Sequence, residues 1–155
     1  MRREKKTRQN TRWQLPPDNR LRLHPPALSL KNDLLGKDAA DFEVEFFERI
    51  LERDPCHEEA LRLLGYIYTA RGEYRKGLAM DQRLVRLRPE DAAACYNLAC
   101  SYSLVGEVDK AMEALCRAIC LGFRNWEEID TDPDLANLRK DPRYQLLRQQ
   151  HQTNK

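Results

Sequence analysis

Four of the five cysteines fall inside one stretch, CYNLACSYSLVGEVDKAMEALCRAIC, at Cys95, Cys100, Cys116 and Cys120. Thiols spaced C-x4-C and then C-x3-C could hold a metal ion as thiolates, or cycle as a redox pair. Either chemistry needs the sulfurs to converge, so the question is which elements carry them. Apolar residues recur here at helical spacing on both sides of Gly106, which predicts two helices and a turn. On one helix Cys95 and Cys100 stand about 140° apart round the axis and cannot face one ion. Cys116 and Cys120 share a face at i, i+4, but their Cβ atoms would be ~5–6 Å apart. An unstrained disulfide needs ~3.8 Å. The spacing therefore predicts separate environments rather than a zinc site, and no bound metal is expected. An odd number of cysteines without a compact pattern points to a reducing, cytoplasmic setting.

No other catalytic constellation stands out. His24, His57 and His151 are far apart in the chain, and their surroundings read as loops or tails. There is no Gly-rich phosphate loop, nucleophile elbow or H-E-x-x-H. Acidic residues are scattered along surface faces of helices, as solvated charge is. The expectation is a protein that is not an enzyme, with no catalytic residues and no cofactor. No apolar run approaches the ~20 residues of a membrane span, and the N-terminus has no apolar core of a secretory signal.

Charge divides the chain. Residues 1–24 carry eight Arg or Lys against Glu4 and Asp18, a net +6, whereas residues 38–155 carry a net −5. The segment MRREKKTRQNTRW lacks apolar periodicity, and Pro16, Pro17, Pro25 and Pro26 disfavour helix after it. Residues 1–37 therefore read as a basic, mostly disordered tail, in which Leu28, Leu30, Leu34 and Leu35 could dock on the body. Arg2, Arg3, Lys5, Lys6, Arg8 and Arg12 could contact phosphates, with Trp13 stacking on a base. The plainer reading, a solubilising leader, is preferred.

The body repeats itself. At an offset of 34 residues Leu64 falls on Leu98, Tyr68 on Tyr102, Gly72 on Gly106 and Glu73 on Glu107. Pro55 falls on Pro89, Gly77 on Ala111, Val85 on Ile119 and Leu87 on Leu121. Helices are expected over 58–71, 74–87 and 108–121, with Gly72 and Gly106 closing the first helix of each unit in a left-handed conformation. Gly65 and Ala99 stand where paired helices approach closely. DAADFEVEFFERILERDP fits a second helix in the same frame, where Phe47, Ile50 and Leu51 precede Asp81, Leu84 and Val85 by 34 residues.

EEALRLLGYIYTARGEYRKGLAMDQRLVRLRPED resembles one full tetratricopeptide repeat. Leu61, Leu64, Gly65 and Tyr68 match its first-helix signature, Gly72 and Tyr74 its turn, and Pro89 its terminal proline. AAACYNLACSYSLVGEVDKAMEALCRAICLGF resembles a second, departing at LGF where a proline is usual. The resemblance implies an all-α fold, a short α-solenoid of about two and a half repeats. Its parts are a half repeat over 38–55, full repeats over 58–91 and 92–123, capping helices over 124–150, and a disordered end over 151–155. The period stops because Pro133 would fall inside a third first-helix. Asp132 and Asp141 suit N-caps, with Pro133 and Pro142 at the first helical position. Short helices are expected near 125–130 and 133–139 and a longer one near 142–150. Leu135, Leu138, Tyr144 and Leu147 would cover the open end of the array.

By the same resemblance the first helices line a concave groove that takes a peptide or helix segment of a partner protein. Its groove-facing positions are Glu59, Arg62, Tyr66, Thr69 and Ala70, then Ala93, Tyr96, Cys100, Ser103 and Leu104. Arg62 would stack beside Tyr96, and Tyr66 beside Cys100. Arg62 and Asn97 fall at places used by a carboxylate clamp, but Tyr66 replaces an asparagine that the clamp needs, and no third repeat supplies its other cations. Cys95 aligns with Leu61, a packing position, and Cys116 and Cys120 lie on the convex side. Cys100 is the cysteine expected to serve, as part of the groove wall. The reading is a monomeric, non-enzymatic protein-binding adaptor, with a nucleic-acid- or ribosome-associated factor anchored by the basic tail as the alternative.

Overall fold

A computed structural model describes residues 41–152. The basic tail, its candidate contacts Arg2, Arg3, Lys5, Lys6, Arg8, Arg12 and Trp13, and the leucines of 28–35 lie outside the described residues. Within them the chain is all-helical. A helix over 41–53 (α1) is followed by α2 (Glu58–Ala70), α3 (Tyr74–Leu87), α4 (Ala92–Leu104) and α5 (Val108–Cys120). Then come α6 (Trp126–Thr131), a 3-10 turn (Pro133–Leu135), α7 (Ala136–Arg139) and α8 (Pro142–Gln152). Of the end expected to be disordered over 151–155, residues 151 and 152 continue α8, and 153–155 lie outside the described residues.

The helices pack in pairs, α2 on α3 and α4 on α5, with α3 also on α4. Each pair closes through a glycine that the turn requires, since Gly72 has φ 76° and Gly106 has φ 82°. Only a residue without Cβ takes that conformation cheaply. Gly65 meets α3 closely, for a Cβ there would lie 3.0 Å from Asp81 Oδ1. Asp81 is itself buried and accepts a hydrogen bond from Ser101 Oγ on α4. That bond ties the second helix of one pair to the first helix of the next. Leu61, Leu64, Leu84, Cys95, Ala99, Ala111, Leu115 and Ile119 form the core, with Leu51 of α1 at one end and Leu135, Leu138 and Tyr144 at the other.

The 34-residue offset extends from residues to contacts. Arg83 Nη2 donates to the carbonyl of Pro55 at 2.7 Å, and Arg117 Nη2 to that of Pro89 at 2.7 Å. Lys76 pairs with Glu73 and lies over the Tyr68 ring, and Lys110 pairs with Glu107 over Tyr102. Tyr68 bonds Glu48, and Tyr102 accepts from Gln82. His57 Nδ1 caps α2 by accepting from the Ala60 N–H, and Asp91 caps α4 in the same place. His57 thus has a structural task. No helix among the described residues is long and apolar enough to cross a membrane.

Candidate functional site

The two first helices, α2 and α4, present equivalent faces, and the chain treats them differently. On α4, Tyr96, Cys100 and Ser103 were expected to form an open wall. All three are buried. The reason is the segment after α6, which breaks from helix at Asp132 because Pro133 cannot continue it. The chain then turns across the face of α4.

Four contacts fasten that segment. The Tyr96 hydroxyl donates to Asp132 Oδ2 at 2.8 Å, and Cys100 Sγ lies 3.6 Å from the same oxygen. Asn137 Nδ2 donates to the Ser103 carbonyl at 2.9 Å, and the Leu138 N–H to Ser103 Oγ at 3.3 Å. Arg139 reaches back to the carbonyls of Ile129 and Asp132, which holds the bend. Asp132 does two jobs, since its other oxygen accepts from the Asp134 N–H as the expected cap. Burial first, then the neighbouring Cys100 and Asp132, push the Tyr96 hydroxyl well above its ordinary pKa, so it stays a proton donor.

Arg62 Nη2 bonds Asp91 Oδ2 at 3.1 Å. Tyr96 lies on Phe123, with ring centroids 4.2 Å apart and planes 9° from parallel. Cys100 is a buried thiol under Asp132 rather than a wall residue. The LGF departure has a role here, because Gly122 at φ 106° turns the chain and Phe123 enters the core.

The equivalent face of α2 is more open. Glu59 and Ala70 are exposed, and Arg62, Tyr66 and Thr69 are half-buried, as are Ala93, Asn97 and Leu104 on α4. Thr69 turns its hydroxyl toward α3, since a Cβ on Gly77 would come within 2.7 Å of it. Arg62 carries the notable chemistry of this face. Its Nη1 is buried and has no hydrogen-bond partner, beside the Nη2 that Asp91 holds. The accessible surface of α2 thus centres on Glu59, Arg62 and Tyr66.

None of the five cysteines forms a disulfide. Cys95 is in the core, Cys116 is half-buried, and Cys56 and Cys120 are exposed. Burial raises the thiol pKa of Cys95 and Cys116, which disfavours thiolate chemistry there. Among the described residues no group of three or more His, Cys, Asp or Glu could hold a metal ion.

No protein-family model matches the chain. The chain is similar to a chloroplastic protein of Arabidopsis thaliana, at 32% identity over 113 residues. The aligned region is 71% of this chain, which spans about a third of that relative's length (33%).

Proposed function

We propose that this chain is a short tetratricopeptide array acting as a non-enzymatic protein-interaction module, an adaptor or chaperone-like binder. It takes a peptide or helix segment of a partner protein on the concave side of α2. The observation that carries the reading is the recurrence of whole contacts at 34 residues, with Arg83 on Pro55 followed by Arg117 on Pro89. Stacked repeat units of this kind build an extended concave surface whose natural use is recognition. The surface offers an arginine and a tyrosine one helical turn apart, residue types that anchor interfaces well. Since Tyr96, Cys100 and Ser103 of α4 are covered by the chain's own segment, Glu59, Arg62 and Tyr66 of α2 carry the binding, with the half-buried Asn97 of α4 as the remaining candidate. Five thiols outside any disulfide suit a reducing, cytoplasmic compartment.

Co-purification on immobilised full-length chain tests this. A partner held by the wild type should be lost from the Arg62→Ala, Tyr66→Ala double variant and kept by Glu113→Ala on α5. Equal capture by all three would place binding elsewhere.

A second reading rests on the charge of residues 1–24, net +6 beside a body of −5. It makes the tail a phosphate-binding anchor for RNA or a ribosome. Titrating RNA against the full chain and a chain lacking 1–24 decides it. Binding that needs the tail and falls steeply with salt supports it, and no binding at low salt eliminates it.

A further inference from the structure

The segment that covers α4 is held in a way that differs from the rest of the molecule. The helix pairs join through broad apolar packing, α4 on α5 and α4 on α3. Residues 132–138 cross α4 more sparsely, as a 3-10 turn and one turn of helix. Their polar grip is Tyr96 and Cys100 on Asp132, and Ser103 on Asn137 and Leu138. Their apolar grip is Leu135 and Leu138, both fully buried. These grips fall on Tyr96, Cys100 and Ser103, positions equivalent by 34 residues to Arg62, Tyr66 and Thr69 on the open face of α2. Short elements fastened by a few side chains are the units that open below the global unfolding free energy.

We propose that residues 132–138 are an autoinhibitory strap. The strap occupies in cis a second binding face, on α4, and leaves it as a unit, while α8 stays held to α5 and α6 through Arg143, Tyr144 and Arg148. A partner segment that displaces it carries what the strap carries: a carboxylate, a turn, and leucines three and six residues on, as in Asp132, Leu135 and Leu138. The inference rests on the concave side being the binding surface. Its first arm needs no partner, so failure of the proposed function leaves that outcome intact.

The native cysteines report the opening. Full-length protein is pulsed with N-ethylmaleimide and each thiol is mapped by mass spectrometry. Cys56 and Cys120 label at once, being exposed. Cys95 and Cys100 sit on the same helix, but Cys95 faces the pair interior near Arg117 while Cys100 lies under the strap. Strap opening labels Cys100 ahead of Cys95. Asp132→Asn speeds Cys100 roughly tenfold or more, the scale of a lost hydrogen bond to a charged group, and leaves Cys95 unchanged. Tyr96→Phe does the same and serves if Asp132→Asn does not fold. In the Asp132→Asn protein, which keeps the Tyr96 hydroxyl, excess synthetic peptide of residues 128–141 slows Cys100 labelling again, and the same peptide with Asp132→Asn does not. Cys95 and Cys100 labelling together at one rate would show the strap to be a fixed part of the core. Absence of peptide protection would refute the stated recognition.

Discussion

The Tyr96 hydroxyl donates to Asp132 across 2.8 Å, joining residues 36 apart in the chain, and both side chains are buried. This bond helps to close the face of α4. It pins residues 132–138 to α4, while the equivalent positions on α2 stay more accessible.

Replacing Tyr96 by Phe keeps the stacking on Phe123 and removes only the hydroxyl. The loss of a buried hydrogen bond to a charged group should cost about 1–3 kcal/mol. Urea unfolding followed by circular dichroism measures it as a lower midpoint at unchanged slope. An unchanged midpoint would mean that the bond does not hold the segment.

Gly77 meets α2 more closely than Gly65 meets α3. An added Cβ would lie 2.7 Å from Thr69 Oγ1 and 3.2 Å from the Gly65 carbonyl oxygen. Backbone cannot give way as a side chain can, so overpacking of about 1–3 kcal/mol outweighs the helix-propensity gain of about 1 kcal/mol. Gly77→Ala should therefore destabilise, even though Ala111 occupies the equivalent place in the second pair. A raised Tm would contradict the close approach of α2 and α3.

Much of this was legible in the residues. The matches of Leu64 to Leu98 and Gly72 to Gly106 located the helices and their turns, because a period of helix pairs needs small, apolar and turn residues at fixed places. Asp132 and Asp141 were legible as caps because Asp-Pro starts helices locally. The closed face of α4 was not. Tyr96 and Asp132 stand 36 residues apart, not 34, since Pro133 ends the period, and a pattern that has ended assigns no register. Asn137 carried a faint signal, standing 34 residues after the Ser103 whose carbonyl it bonds. Asp81 carried a clearer one, an acid among Leu78, Leu84 and Val85 that requires a polar partner, supplied by Ser101.

Acid should reveal the cap of α8. Arg143 holds Asp141 through its guanidinium, with Nε on Oδ1 at 2.9 Å and Nη2 on Oδ2 at 2.7 Å, and through its backbone N–H. Side-chain and then backbone bonds lower the Asp141 pKa from 3.8 to about 2. The folded value lies below the unfolded one, so the contribution is present above the unfolded pKa and disappears as pH falls from 3.8 toward 2. Carbon-detected NMR titration should find the Asp141 midpoint near 2, rising toward the ordinary carboxylate value in Arg143→Ala. An ordinary midpoint in the wild type would deny the pairing.

The claim that the α2 face takes a partner is tested most directly by photo-crosslinking. A benzoylphenylalanine is placed at Tyr66 on that face, or at Glu113 on α5, in the full chain within its native cells. The account predicts a discrete protein adduct from position 66 that Arg62→Ala diminishes, with none from position 113. Adducts from position 113 alone, or an adduct at 66 indifferent to Arg62, would contradict it.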